Sequence, residues 1–114
     1  IINNNSLVFK INYKKFSILF TGDIEEIAEK KILEENKNTL KSTILKVAHH
    51  GSKNSTSSEF LQKVLPEQTI ISCGQNNRYG HPHKETIHRL KSCHTKIKRT
   101  DTNGAVIFRE KRDG

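Results

Sequence analysis

The sequence predicts an α/β (α+β) domain in which a mixed sheet carries helices on one face. Stretches typical of strands alternate with stretches of helical spacing, in the order ββ-α-β-α-β-α-ββ. The length of 114 residues suits one domain, and a hydrophobic fraction of 32% predicts a thin core. Nothing in the sequence supplies a second helix layer. Residues 1–114 are therefore predicted to be a single partial domain of a longer protein.

The amino-terminal part predicts a hairpin followed by a helix. Residues 6–21 form two apolar, partly alternating stretches around a short polar turn, as paired strands do. Gly22 ends the hairpin, and Asp23 follows it as a candidate N-cap of the first helix. The apolar face of that helix is predicted to be Ile24, Ile27, Ala28 and Ile32.

The middle of the chain predicts a strand over residues 43–48 that delivers His49 and His50 to a polar loop. A capping box over residues 56–59 then starts the second helix, and Pro66 ends it. The apolar face of this helix is predicted to be Phe60, Leu61, Val64 and Leu65.

The last part of the chain predicts a strand, a helix and a hairpin. Residues 69–73 form the strand, and Pro82 suits the first position of the third helix. Ile87 and Leu90 are predicted to face the core from that helix. Two further strands, over residues 95–100 and 105–108, flank a turn.

Composition limits the partners and the compartment. The net charge of +8 fits a polyanion such as nucleic acid, and a merely solvated basic surface is the alternative. No apolar run approaches the roughly 20 residues that span a bilayer. Cys73 and Cys93 lack the spacing of a zinc knuckle and are predicted to be free thiols.

Three loops that follow strand ends carry the residues suited to chemistry. Histidine and carboxylate side chains on such loops are ligands for a zinc- or manganese-type site, which can activate water for phosphodiester cleavage. His88 and His94 lie in or just after the third helix and are predicted to be exposed. The candidate ligands are Asp23, His49, His50, His81 and His83.

These motifs together make a family resemblance specific. The segments are Thr21-Gly22-Asp23, His49-His50-Gly51-Ser52, Asn77-Arg78-Tyr79-Gly80-His81-Pro82-His83 and Asp101-Thr102-Asn103-Gly104. In this order the sequence resembles the carboxyl-terminal half of the metallo-β-lactamase-fold domain of ComEC-type DNA-internalisation (competence) proteins. The resemblance implies half of an αββα sandwich, and it covers nearly the whole chain.

The resemblance also implies roles for individual residues. Asp23 matches the aspartate that bridges two metals, and His81 matches a late metal ligand, with His83 as the alternative. His49 and His50 match a pair that contacts substrate phosphate or ligates metal, and Ser52 would donate a hydrogen bond to phosphate. Purely structural roles stay open, since Asp23 can cap a helix and Ser52 can bond its own loop.

The sequence departs from the family pattern in two respects. The cluster His-x-His-x-Asp-His is absent, and so is the histidine expected between that cluster and Thr21-Gly22-Asp23. Both are expected upstream of Ile1. The intact domain is then expected to hold a divalent metal (Zn or Mn, as a dinuclear site). The isolated chain is expected to bind that metal weakly or not at all, and not to cleave DNA.

The resemblance predicts part of a metal-dependent phosphodiesterase that hydrolyses or handles DNA during uptake. The alternatives are a non-catalytic basic DNA-binding module and a related phosphoester hydrolase, because a fold does not fix a substrate. The expected partners are DNA and the missing amino-terminal half, with the membrane reached only through the parent protein. That location would be the bacterial cell membrane, with this domain itself soluble. An open apolar face also predicts a homodimer of the isolated chain.

Overall fold

The computed structural model describes residues 8–22, 24, 26–35, 40–51, 53–72, 80 and 82–100, with the backbone alone at Glu26, His49 and His50. The predicted strand over residues 105–108, the turn before it and Cys73 lie outside these ranges. The strands are β1 (Phe9–Tyr13), β2 (Phe16–Phe20), β3 (Ile44–Lys46), β4 (Gln68–Ile71) and β5 (Lys96–Arg99). The helices are α1 (Glu26–Glu35), α2 (Ser58–Val64) and α3 (Lys84–Ser92), with a 3₁₀ turn at Ala48–Gly51.

The five strands form one mixed sheet in the order β1-β2-β3-β4-β5. β1 pairs antiparallel with β2, and the pairs β2–β3, β3–β4 and β4–β5 are parallel. Each parallel pair is joined through one helix, and such crossovers are almost always right-handed. Since the strand order advances in one direction, the three helices belong on the same face of the sheet. The predicted α/β (α+β) class is confirmed.

The core lies between that face and the helices. The central strands contribute Leu19, Leu45 and Ile71, which alternate with residues of the opposite face. Burial of these apolar side chains holds the helices on the sheet. The helices contribute Leu33 from α1, Phe60, Leu61 and Val64 from α2, and Leu90 from α3.

The opposite face of the sheet is apolar near β1. Phe9, Ile11 and Tyr13 lie on this face and are 41%, 47% and 52% exposed. The Phe9 ring stacks on Phe20 with 4.7 Å between ring centroids, which shows that the two strands present aromatic side chains together. Among the described residues, large apolar side chains are thus exposed on the sheet face opposite the three helices, which we call the helix-free face.

Several sequence predictions about helix faces and ends are wrong in detail. Ile27 was placed on the buried face of α1, yet it is 64% exposed, because the buried face turns to Glu29 and Leu33 instead. Leu65 is 56% exposed, since it is the left-handed C-cap of α2 (φ 48°) and no longer follows the helical face.

The start of each later helix also differs from its prediction. Ser57, and not Thr56, is the N-cap of α2, and its Oγ accepts a hydrogen bond from the Phe60 N–H at 3.2 Å. His83 is the N-cap of α3, so Pro82 lies just before the helix and not at its first position. The inward positions of Ile87 and Leu90 are confirmed, as is the exposure of His88 and His94.

Candidate functional site

Parallel strands β2, β3 and β4 end at the same edge of the sheet, which we call the carboxyl edge. Thr21 follows β2 there and is almost fully buried. Its hydroxyl donates a 2.6 Å hydrogen bond to the Lys46 carbonyl at the end of β3. Because Thr21 opens the Thr-Gly-Asp motif, this bond joins that motif to the strand that precedes His49 and His50.

The chain after β3 leaves the strand early. The strand predicted over residues 43–48 ends at Lys46, and Ala48–Gly51 is a 3₁₀ turn that contains both histidines. Gly51 has φ +84°, a conformation that glycine adopts without steric cost. The 3₁₀ turn therefore redirects the chain across the carboxyl edge before the next loop begins.

Gly51 also joins this turn to the His-Pro-His motif. The Gly51 carbonyl accepts a 3.0 Å hydrogen bond from the His83 N–H. A Cβ on Gly51 would lie only 2.6 Å from the Pro82 Cβ, so glycine is required for this close packing. The two histidine motifs, which lie far apart in sequence, thus meet at the carboxyl edge.

The His83 ring makes a second link between them. Its Nδ1 accepts a 2.8 Å hydrogen bond from the Lys53 N–H. An accepting Nδ1 places the proton of the neutral ring on Nε2. A metal ligand must offer a lone pair, so this arrangement favours His81 over His83 as the ligand. The choice of His81 stays a prediction, because that residue lies outside the described ranges.

The loop that follows, Lys53–Ser57, is held by two charged side chains from neighbouring helices. Arg89 of α3 donates from Nη2 to the Lys53 and Ser55 carbonyls at 3.0 and 2.9 Å, and from Nε to the Thr56 carbonyl at 3.0 Å. Glu29 of α1 accepts from the Thr56 and Ser57 N–H groups, the latter at 2.9 Å. The loop is bonded from both sides.

Burial sets the electrostatics of Glu29, which is only 1% exposed. Desolvation raises the pKa of its carboxyl above the usual 4.5, against the opposing effects of the Thr56 and Ser57 hydrogen bonds and of the Arg89 charge. The ionised form is therefore held at a net free-energy cost, although two backbone N–H groups point at it.

The predicted site residues have different outcomes in the structure. Asp23, Ser52 and His81 lie outside the described residues, so their roles stay predictions. The backbone of His49 and His50 and the whole of His83 are brought to the carboxyl edge. Within the described ranges, no group of three or more histidine, cysteine, aspartate or glutamate side chains is close enough to hold a metal ion.

The neighbourhood of the described contacts nevertheless suits the predicted metal ligands. Asp23 lies two residues after Thr21, and His81 lies one residue before Pro82. Both anchors are fixed at the carboxyl edge, by the Thr21–Lys46 hydrogen bond and by the packing of Pro82 on Gly51. Carboxylate and imidazole are the donor types that zinc and manganese take, so Asp23 and His81 stay the predicted ligands.

Three curated relatives match almost the whole chain. ComE operon protein 3 of Bacillus subtilis is 42% identical over 96% of this chain. Competence protein ComA of Neisseria gonorrhoeae is 34% identical over 93%, and Recombination protein 2 of Haemophilus influenzae is 38% identical over 91%. The chain belongs to the ComEC-type competence proteins. No protein-family model matches it.

The chain corresponds to a small part of those ComEC-type relatives. It spans 14%, 15% and 13% of their lengths, in the order given above. Among the described helices of this ComEC-type segment, none is long and apolar enough to cross a bilayer. The sequence resemblance to ComEC-type proteins is thus confirmed for the family.

Sequence reasoning missed Glu29 and Arg89. The available signal was spacing, because Glu29 lies four residues before the buried Leu33 and shares its helix face. A carboxylate on a buried face needs partners, and this points to hydrogen bonds from another element.

Proposed function

We propose that this ComEC-type segment forms one wall of a metal-dependent phosphodiesterase site that acts on DNA during uptake. The observation that carries the proposal is the meeting of three motifs at the carboxyl edge. Thr21 bonds to Lys46, and Gly51 packs on Pro82 and bonds to His83. In α/β folds this edge is the usual place for a ligand or active site.

The residues have distinct roles in this proposal. Asp23 and His81 would hold the divalent metal (Zn or Mn, as a dinuclear site in the intact domain), and His83 is the less favoured alternative because its Nδ1 already accepts from Lys53. His49 and His50 contact the substrate phosphate or the metal, and Ser52 donates a hydrogen bond to phosphate. A metal bound there would supply an activated water and neutralise charge on the phosphodiester.

The family supports the DNA substrate, because two of the relatives are named as competence proteins or as products of a ComE operon. The remaining ligands would come from a preceding half of the same domain, completing a metallo-β-lactamase-like αββα sandwich. The intact protein would reach the bacterial membrane through other segments. The isolated 114-residue chain is then inactive.

Cleavage assays on the intact protein test the proposal. With Mn²⁺ or Zn²⁺ and a duplex DNA substrate, we expect hydrolysis that Asp23→Ala reduces by at least 100-fold, because a carboxylate that would hold the metal is lost. Glu35→Ala, which removes an exposed acid from α1, is the matched control and should keep full activity. The isolated chain should show no cleavage; robust cleavage by the chain alone would contradict the division of the site between two halves.

The net charge of +8 favours a second function, a non-catalytic DNA-binding module. In that case the intact protein would bind DNA with a steep dependence on salt concentration and would not hydrolyse it under any metal condition. A related phosphoester hydrolase would instead cleave a small phosphodiester faster than DNA. The same set of assays separates the three functions.

A further inference from the structure

Thr56 has a strained backbone that the rest of the chain must stabilise. Its φ is +56°, in the left-handed region, and it is buried. A β-branched residue is a genuine outlier in this region, and such conformations persist only when surrounding contacts over-determine them. A search for the contacts that fix Thr56 leads to two helices.

Both peptide groups of Thr56 are held by charged side chains. Its N–H donates to the Glu29 carboxylate, and its carbonyl accepts from Arg89 Nε at 3.0 Å. Hydrogen bonds to charged groups are stronger than those between neutral groups. Glu29 from α1 and Arg89 from α3 therefore act on one residue from opposite sides.

The same two side chains hold the rest of the loop. Arg89 also binds the Lys53 and Ser55 carbonyls, and Glu29 also binds the Ser57 N–H. Lys53, Ser55, Thr56 and Ser57 thus each have a backbone group bonded to Glu29 or Arg89. Side chains from α1 and α3 therefore hold the loop backbone at several points.

The first residue of this loop, Lys53, contacts the candidate site. The Lys53 N–H donates to His83 Nδ1 at 2.8 Å, and Lys53 follows the His49–Ser52 segment directly in sequence. The end of the loop is equally tied, because Ser57 caps α2. A shift of the loop would therefore move both the two histidines before it and the ring of His83.

We infer that Glu29 and Arg89 are positioning residues that hold the loop Lys53–Ser57 and, through it, set the placement of His49, His50 and His83 at the carboxyl edge. The functional part of this inference rests on the proposed phosphodiesterase site. Neither side chain touches substrate in this view. Each acts through the loop backbone.

Amide hydrogen exchange and ¹H–¹⁵N spectra of the chain test the structural part. Gln at position 29 keeps the shape of Glu29 but presents one acceptor oxygen, so it cannot accept from both N–H groups. In Glu29→Gln we expect exchange at the Thr56 and Ser57 amides to rise on the order of 10- to 100-fold. The amide resonances of residues 49–53 should shift, while the Leu45 and Ile71 amides keep their protection.

Controls separate positioning from a general loss of stability. Leu33→Ala removes a core side chain from the same helix as Glu29, and His88→Ala changes an exposed residue next to Arg89. Neither should shift the resonances of residues 49–53. If Leu33→Ala reproduces the Glu29→Gln spectrum, or if residues 49–53 do not respond to Glu29→Gln, the inference is wrong.

The arginine gives a second, independent variant. Arg89→Lys keeps the charge but loses the planar fork that binds several carbonyls, so it should restore only part of the loop protection that Arg89→Ala removes. Because both side chains act on Thr56, the effects of Glu29→Gln and Arg89→Ala should be strongly non-additive. Additive effects would show that the two side chains act separately and would overturn the shared role.

Kinetics of the intact protein test the functional part. In Glu29→Gln we expect kcat for DNA hydrolysis to fall at least tenfold while KM changes less than threefold, since misplaced site residues weaken the chemical step. An unchanged kcat together with shifted resonances would overturn the catalytic consequence. If the wild-type protein hydrolyses no DNA, the proposed function fails, and the exchange data still decide the structural part.

Discussion

At the scale of single residues, the buried Glu29 carboxylate holds a neighbouring loop, and its ionised form costs free energy because it is buried. Its hydrogen bonds to Thr56 and Ser57 hold a strained loop, and its burial raises the pKa of its carboxyl. A raised pKa in the folded state means that the folded protein binds a proton more readily than the unfolded chain does. Burial therefore disfavours the ionised carboxylate in the folded protein relative to the unfolded chain.

This gives a pH prediction with a definite sign. Because the folded state binds the Glu29 proton more tightly than the unfolded chain does, the protonated carboxyl adds to the free energy of unfolding. This contribution is fully present below the ordinary pKa of 4.5 and is lost as the pH rises through the higher folded-state pKa. The free energy of unfolding of the wild type, minus that of Glu29→Gln, should thus fall as the pH rises above 4.5. Urea unfolding of both proteins between pH 4 and 7 measures it, and a difference that grows with pH would contradict the assignment.

At the scale of elements, the contact between the 3₁₀ turn and the start of α3 depends on one missing side chain. Gly51 combines φ +84° with a would-be Cβ contact of 2.6 Å to Pro82. Gly80 offers a matched comparison, because its φ is +69° and nothing lies within 4 Å of its would-be Cβ. The two glycines separate backbone strain from steric overlap.

We therefore expect Gly51→Ala to destabilise the fold by about 3 kcal/mol and Gly80→Ala by about 1 kcal/mol. The shared part is the left-handed conformation, at about 1–2 kcal/mol, and the additional part at Gly51 is overpacking against Pro82. Denaturant unfolding of both variants measures the difference. Equal losses of stability would mean that the overlap between a Cβ at position 51 and Pro82 is relieved at no cost in free energy.

The sequence predicted the helices and strands better than the contacts that connect them. Leu19, Leu45, Leu61 and Leu90 follow the periods of strands and helices, so the core could be read from spacing alone. The 3₁₀ turn at Ala48–Gly51 could not, because the contacts that hold Gly51 come from Pro82 and His83, which are distant in sequence. Three motifs were identified from their residue types, but the contacts that join them, such as Thr21 with Lys46, required coordinates.

The Glu29–Arg89 pair was missed for a related physical reason. Glutamate early in a helix is well explained by the helix dipole, so the pattern gave no reason to seek a buried partner. The left-handed conformation of Thr56 is equally invisible in the sequence, because β-branched residues favour extended backbone. Both features arise from tertiary contacts that override local preference.

At the scale of the whole molecule, the helix-free face predicts self-association. Exposed Phe9, Ile11 and Tyr13 lie on this face, and exposed apolar groups of this kind favour an interface. We expect the isolated chain to associate at high concentration in analytical ultracentrifugation and Ile11→Lys to weaken the association at least tenfold.

Ile27→Lys provides the control for that experiment. Ile27 is also an exposed isoleucine, but it lies on α1 and away from the helix-free face. This variant should associate as the wild type does. A chain that stays monomeric at every concentration would show that the face does not drive association.

The strand order has a consequence for how the chain folds. Every described strand after β1 pairs with the strand before it in sequence. The three parallel pairings each close a segment that includes a whole helix, so most contacts of the described sheet join residues distant in sequence. During synthesis the sheet can grow strand by strand behind the ribosome. The carboxyl edge at Gly51 is completed only after Pro82 and His83 have emerged, because these two residues lock its turn.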